Sequence, residues 1–234
     1  MKIYALMENI SHDECLACEH GLSLYIEADG KKILFDTGAS ENFAANAEKM
    51  GVDLKAVDFA AISHGHYDHG GGLAKFIEIN DHAPIYISNK GFNQYYSGTD
   101  FNVSIPEGLE GNPRFVLTSD PIKLSENITL LNCNDREAKY FADPYGLNKL
   151  VDGEFIPDDF LHEQYLIIEE NGKRIVISGC SHKGILNIME WLKPDILIGG
   201  FHFFRLTTEG EDAATLDKSA AILNEYGATY YTCH

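Results

Sequence analysis

The sequence is poor in cysteine and has no long apolar run. Its 5 cysteines among 234 residues are an odd number with scattered spacing, unlike a disulfide framework. No apolar run approaches the roughly 18 residues that a membrane-spanning helix needs. Residues 1–9 also lack the apolar centre of a signal peptide. These absences argue against a disulfide-stapled secreted scaffold, and we expect a cytoplasmic protein without a membrane span.

Positive charge is also scarce. The chain has 18 Lys and Arg against 36 Asp and Glu, a net charge of −18. Such a surface repels phosphate backbones, so nucleic acid is an unfavourable partner. A small molecule samples only a local patch, and we therefore expect a small-molecule substrate. The sequence gives no indication of oligomeric state.

Two of the cysteines, Cys15 and Cys18, form a single Cys-x-x-Cys pair. No second pair follows at the spacing of a zinc finger, so the pair by itself assigns no role. A redox role, a metal role and no role at all stay open.

The segment 63–72 reads Ser-His-Gly-His-Tyr-Asp-His-Gly-Gly-Gly and follows a short apolar run that is typical of a buried strand. His64 and His66 are two residues apart, so they point to the same side of extended backbone. Asp68 and His69 are neighbours that can face the same point only where the chain leaves the strand. The glycines would permit that turn before a helix begins. Imidazoles and a carboxylate are ligands that zinc prefers, so the segment predicts a metal site.

This His-x-His-x-Asp-His pattern after a strand resembles the metallo-β-lactamase superfamily of hydrolases. The resemblance implies that the first two histidines bind one metal ion and that the Asp-His pair binds a second. It also implies an αββα sandwich of two mixed sheets, with helices on the outside and the metal ions at one edge.

The order of the predicted elements favours the same architecture. Each half of the chain reads as a hairpin, a strand–loop–helix unit and a further strand, which suits two sheets packed face to face. This order therefore predicts that residues 1–234 form one domain built of two similar halves, about 1–130 and 131–234. The predicted helices span about 41–50, 70–79, 185–192 and 212–226, and the strands 2–8, 22–28, 32–35, 58–62, 84–88, 124–133, 165–170, 174–178, 195–198 and 229–232.

Two stretches, 89–121 and 134–163, show no periodicity and are rich in aromatic residues. Long irregular segments in a compact domain are often lids or binding loops. They are interpreted here either as covers of the site or as ordinary insertions.

Two metal ions need further ligands, and three histidines follow apolar strands in the second half. These are His182, His202 and His234, each placed after its strand as His64 is after its own. We predict His182 and His234 as ligands and leave His202 open between a ligand and a structural residue.

Many members of the resembled superfamily have a bridging aspartate where Cys180 stands. The thiolate of Cys180 is either a ligand or a small buried side chain. The superfamily also has a histidine some 18 residues before that aspartate, a position near His162. Either His162 or His182 is then the third ligand, and we favour His182 because it directly follows a strand.

Several motifs occur in a fixed order along most of the chain, and together they resemble the branch of dihydropterin ribofuranosylaminobenzene-phosphate synthase-like proteins. In that branch the chain continues beyond the last Cys-His pair, so we expect a truncated C-terminus here. Asp36 is interpreted as a support that hydrogen-bonds a ligand, or as a turn residue. His20 is interpreted as a residue facing the substrate. The motifs are Glu19–Ser23, Leu34–Gly38, Ser63–Gly72, Gly179–His182, Gly199–His202 and Thr232–His234.

The sequence thus predicts a metal-dependent hydrolase with one or two divalent ions, zinc first, with manganese or iron as alternatives. A bound ion lowers the pKa of its water to about 7, and the resulting hydroxide would attack an ester or phosphoester. Asp68 is the predicted catalytic residue, as a ligand that also orients the nucleophile. The alternatives are a pterin-linked synthase and a non-catalytic metal-binding sensor domain. The predicted ligands are His64, His66 and His182 for the first ion, and Asp68, His69 and His234 for the second.

Overall fold

A computed structural model describes residues 1–203 and 205–234. Its elements follow the predicted order, with additional short strands. The strands are β1 (Lys2–Met7), β2 (Ser23–Ala28), β3 (Lys31–Phe35), β4 (Phe59–Ala61), β5 (Ile85–Ser88), β6 (Tyr95–Ser97), β7 (Phe101–Asn102), β8 (Phe115–Thr118), β9 (Ile122–Lys123), β10 (Ile128–Leu131), β11 (Leu147–Val151), β12 (Glu154–Pro157), β13 (Tyr165–Glu170), β14 (Lys173–Ile177), β15 (Ile196–Gly199) and β16 (Thr229–Thr232). The helices are α1 (Asn42–Lys49), α2 (Tyr67–Gly70), α3 (Leu73–Ile79), α4 (Ile185–Leu192) and α5 (Gly210–Glu225).

Two mixed six-stranded sheets form the centre of the molecule. Their strand orders are β1-β2-β3-β4-β5-β8 and β16-β15-β14-β13-β10-β9. In each sheet a hairpin, β2–β3 or β13–β14, continues into strands that run parallel. Each sheet thus combines an antiparallel hairpin with parallel strands.

The buried side chains form three layers around these sheets. Alternate residues of β2 and β3, such as Ile26 and Phe35, meet Leu166 and Ile177 of the second sheet. The opposite face of the first sheet packs on Phe43 of α1 and on residues of α3, and the second sheet packs on α4 and α5 in the same way. Strand side chains alternate between faces, so both faces of each sheet are buried. The αββα sandwich is confirmed.

The two stretches without periodicity contain strands that the sequence did not predict. β6 and β7 come from residues 89–121, and β11 and β12 from residues 134–163. Together they form a third sheet of order β12-β11-β6-β7, in which Tyr95 lies opposite Lys149. These strands have two to five residues, and most of their side chains are partly or fully exposed. They therefore lack the alternation that marks a half-buried strand.

The two main sheets divide the chain earlier than the predicted halves do. β9 and β10, residues 122–131, already pair within the second sheet. The change of sheet therefore falls between residues 118 and 122 rather than near 130.

None of the helices that the structure describes is long and apolar enough to cross a bilayer. The cytoplasmic location stays a prediction.

Candidate metal centre

The His-rich segment leaves β4 as extended backbone and enters α2 immediately after His66 (φ −100°, ψ 151°). Asp68 and His69 therefore lie on the single turn of α2. The glycines that follow are expected to permit a sharp turn. Gly71, however, has ordinary helical angles (φ −64°, ψ −32°). A Cβ at Gly71 would lie 2.2 Å from the carbonyl oxygen of Ala39. Glycine is required here by close backbone packing and not by an unusual turn.

The first of two side-chain clusters consists of His64, His66 and His182. One ring nitrogen of each lies within 4.8 Å of the others, and all three residues are buried. Burial and the neighbouring imidazoles lower the pKa of His64 and of His182 well below the usual value. Burial also lowers the pKa of His66 to about 3. These imidazoles are therefore neutral and present lone pairs.

The second cluster consists of Asp68, His69, Cys180 and His234, with ligand atoms again within 4.8 Å of one another. His69 Nε2 lies 3.1 Å from Cys180 Sγ and 3.1 Å from His234 Nε2. Burial opposes ionisation of Asp68, but the imidazoles of His69 and His234 keep the pKa of its carboxyl well below the usual range. Burial likewise opposes protonation of His234, yet its contacts with Cys180 and Asp68 raise its pKa to about 9.

Both clusters fit a divalent cation by their donor chemistry. His64 Nε2 and His182 Nε2 face each other at 3.1 Å, where two lone pairs share at most one proton. The second cluster raises the pKa of His69 and His234, so it attracts positive charge. Imidazole, carboxylate and thiolate are all ligands that zinc accepts.

Asp36 supports ligands of both clusters. Its buried carboxylate lies 2.7 Å from His69 Nδ1 and accepts hydrogen bonds from Ser63 N (2.6 Å) and Ser63 Oγ (2.7 Å). Ser63 Oγ in turn lies 2.8 Å from His64 Nδ1. Protons on these two Nδ1 atoms leave both Nε2 atoms to face the clusters, as a carboxylate–histidine–metal arrangement requires.

His162 lies beside the first cluster, but both of its ring nitrogens are engaged elsewhere. Its Nδ1 accepts a hydrogen bond from Gly65 N (2.8 Å), and its Nε2 lies 3.0 Å from Asp158 Oδ2. His182 therefore has the better geometry for the third ligand.

Glu163, which the sequence did not single out, fixes the turn that presents His182. Its buried carboxylate accepts hydrogen bonds from His182 N (2.6 Å), Lys183 N (3.0 Å) and Tyr165 Oη (2.7 Å). The position of this candidate ligand thus depends on a carboxylate outside the predicted motifs.

The two remaining candidate histidines lie at the edges of the site. His20 is exposed, with Nε2 3.3 Å from Asp68 Oδ2. His202 has its ring centroid 4.3 Å from that of His182 and is in neither cluster of described ligand atoms. Burial lowers the pKa of His202 to about 4. His202 thus neighbours the candidate ligand His182 and lines the cleft.

A cleft of about 840 Å³ opens over both clusters. Aromatic side chains contribute to its walls, among them Phe101 of β7, Tyr145 and Phe201. Leu147 of β11 also lines it, so both stretches without periodicity contribute to its walls. Arg205 is the one lysine or arginine among the described residues that line the cleft.

An αββα sandwich with two adjoining clusters of metal-ligand side chains at one edge defines a class of metal-centre proteins. The chain belongs to the metallo-beta-lactamase superfamily, whose family model matches residues 17–216. The predicted family is therefore confirmed, and membership implies divalent metal binding without identifying the ion.

Two relatives from Methanocaldococcus jannaschii resemble most of the chain. One is named 7,8-dihydropterin-6-methyl-4-(beta-D-ribofuranosyl)-aminobenzene-5'-phosphate synthase and is 32% identical, over 89% of this chain and 80% of its own. The other is an uncharacterised protein that is 31% identical, over 86% of this chain and 78% of its own. The predicted resemblance to the synthase-like branch is supported by the first of these.

A solved structure extends the similarity to the whole fold. It is a metal-dependent hydrolase of the beta-lactamase superfamily, 28% identical, with a TM-score of 0.80 over 99% of this chain and 87% of its own. A B3 metallo-beta-lactamase is 15% identical with a TM-score of 0.51, over 89% of this chain and 85% of its own, and shows the fold alone.

Proposed function

We propose that the protein is a metal-dependent hydrolase that cleaves an ester, a phosphoester or a related bond of a small molecule. The observation that supports this most directly is the pair of adjoining clusters beneath one cleft. One cluster consists of imidazoles alone, and the other adds a carboxylate and a thiol to its imidazoles. Buried hydrogen bonds with Ser63 and Asp36 orient His64 of the first cluster and His69 of the second. The proposed ligands are His64, His66 and His182 for one ion, and Asp68, His69, Cys180 and His234 for the other.

An ion of zinc type in this centre would supply an acidified water and positive charge for a developing oxyanion. The protein's contribution is orientation. Asp68 Oδ2 lies 3.2 Å from His234 Nε2 and 3.3 Å from His20 Nε2, which fixes the plane of the carboxylate. We assign to this carboxylate the acceptance of a hydrogen bond from the attacking water, which aligns that water with the substrate.

The cleft suggests which substrates to examine first. Its aromatic side chains suit a substrate with an apolar body, and Arg205 suits a negatively charged group such as a phosphate or carboxylate. Lys183 is a poorer candidate for that group, because it is buried and is not among the described residues that line this cleft.

The test is a substrate panel with the metal content measured in parallel. Protein loaded with zinc or with manganese is assayed on phosphodiester, phosphomonoester, thioester and lactone substrates. We expect turnover of one class, its loss with a chelator and its recovery on reloading. If no panel substrate is turned over while metal is bound in stoichiometric amount, that result would contradict the hydrolase and favour the sensor domain.

A synthase is the second candidate, because the 32% identical relative is named as one. It predicts that the purified protein joins a dihydropterin, whose 6-methyl carbon carries a leaving group, to an aminobenzene compound that loses a proton. The released group and a product containing both carbon skeletons would be detected by mass spectrometry. Condensation without hydrolysis of any panel substrate would favour this reading.

A further inference from the structure

His66 has a ring nitrogen that nothing so far accounts for. Its Nε2 is buried and has no hydrogen-bond partner among the described residues. Asp158 Oδ2 lies 3.9 Å away, and the Asp158 side chain is fully buried. A buried polar atom without a partner is destabilising, so such an atom needs an explanation.

Asp158 is oriented toward His66 by two other contacts. Its Oδ1 accepts a hydrogen bond from Phe160 N (2.9 Å), and its Oδ2 lies 3.0 Å from His162 Nε2. An ionised carboxylate accepts about four hydrogen bonds, so Oδ2 retains capacity for a second donor. His162 is held in turn by the stacked ring of Tyr95, with centroids 4.0 Å apart.

Asp158, His162 and His66 also bring ligand-type atoms within 4.8 Å of one another, as a third metal site would. The hydrogen bond from Gly65 N argues against that reading. It uses the lone pair of His162 Nδ1, so the neutral ring carries its proton on Nε2 and donates to Asp158. His162 then has no lone pair for a cation.

We propose that Asp158 is the positioning residue of His66, and this rests on the metal centre of the proposed function. His66 binds the first ion through Nδ1, and its Nε2–H is donated to Asp158 Oδ2. A movement of the imidazole by about 1 Å brings the 3.9 Å separation to hydrogen-bond length. Asp158 thus orients His66 as Asp36 orients His69.

The first experiment determines the tautomer of His66 directly. Long-range ¹H–¹⁵N correlation spectra of the zinc-loaded full chain, labelled at histidine, separate protonated from metal-bound nitrogens. We expect the proton of His66 on Nε2, and the protons of His64 and His69 on Nδ1. A His66 ring with its proton on Nδ1 would overturn the proposal whatever any variant does.

The second experiment measures metal affinity in Asp158→Asn by chelator competition. Loss of a hydrogen-bonded carboxylate behind a ligand typically weakens binding about 10–100-fold, and we expect that loss for one ion with the stoichiometry unchanged. The matched control is Asp159→Asn, because Asp159 is the adjacent, more exposed carboxylate, paired with Lys149. Equal affinity in both variants would contradict the proposal, as would loss of one complete ion from Asp158→Asn alone.

These outcomes separate the inference from the proposed function. Zinc binding with the expected tautomer but without turnover would retain Asp158 and reject the hydrolase. Turnover with the proton of His66 on Nδ1 would retain the hydrolase and reject the role of Asp158. If Asp158→Asn fails to fold, the spectra of the unmodified chain still decide.

Discussion

The two clusters of the metal centre adjoin each other but differ in charge and exposure. The first contains three buried, neutral imidazoles. The second adds a carboxylate and a thiol, Asp68 and Cys180, and it borders the exposed side chain of His20. Two like metal ions would therefore meet quite different surroundings within one cleft.

The difference shows two ways of preparing a cation site. In the first cluster the lone pairs are aimed in advance, because Ser63 holds the Nδ1 side of His64 and the stacked ring of Phe160 packs on His182. In the second cluster the anionic ligands compensate the charge of the ion, which lowers the cost of placing it in a buried site. We expect the second cluster to bind its ion more tightly and to favour metals that accept a thiolate.

The largest effect is expected for removal of a ligand from the first cluster. His66→Ala should eliminate one ion and reduce turnover by about 10³-fold or more, because both the acidified water and the charge for the oxyanion depend on the centre. Metal analysis and steady-state kinetics measure the two effects. His82→Ala is the control, since His82 is an exposed histidine beside Asp81. Turnover near the unmodified rate with the ion lost would exclude the first cluster from catalysis.

A smaller effect is expected from substitution of Cys180. This substitution bears most directly on the difference between the two clusters. Cys180→Ser removes the soft ligand, so we expect a loss of about 100-fold in zinc affinity at the second cluster. Cobalt-loaded protein should also lose its thiolate-to-cobalt charge-transfer absorption. Cys15→Ser is the control, because that thiol is exposed. An unchanged cobalt spectrum would mean that Cys180 is a buried side chain and not a ligand.

Local signals account for the parts of the fold that the sequence predicted. The hairpin between β13 and β14 is one case, because Asn171 and Gly172 both adopt the positive φ that such a turn needs. The third sheet had no comparable signal. β6 pairs with β11 some 50 residues later, and neither strand has a fully buried face. That pairing depends on the finished sandwich and not on the strands' own sequences.

The metal centre also has parts with a local sequence signal and parts without one. Four of its candidate ligands lie in one contiguous segment, so their spacing alone indicated a site. The choice between His162 and His182 depended on the backbone amide of Gly65, which occupies one nitrogen of His162. Asp158 and Glu163 lie at the end of a stretch without periodicity. Carboxylates are common in such stretches, so their type and spacing carried no signal.

Asp36 contacts His69 directly and reaches His64 only through Ser63, so its substitution tests whether the two clusters are coupled. Asp36→Asn should weaken the binding of both ions about 10–100-fold, since the amide cannot orient His69 and Ser63 in the same way. Chelator competition measures both affinities. Asp58→Asn is the control, because Asp58 also accepts a backbone hydrogen bond, from Lys32 N (2.7 Å), at an exposed position. A loss confined to the second ion would mean that Ser63 orients His64 without help from Asp36.

The smallest effect is expected at His20, the exposed border of the second cluster. Its contact with Asp68 is 3.3 Å long, and 65% of its side chain is exposed. Exposed pairs of this kind contribute about 0–1 kcal/mol, so His20→Ala should change kcat/KM by no more than about 5-fold. Metal content should stay the same, because Asp68 keeps its contact with His234. A decrease in kcat beyond about 100-fold, with both ions retained, would contradict this role for His20. It would make His20 a group that acts on the substrate, and the exposed side of the second cluster would then be the side where the reaction occurs.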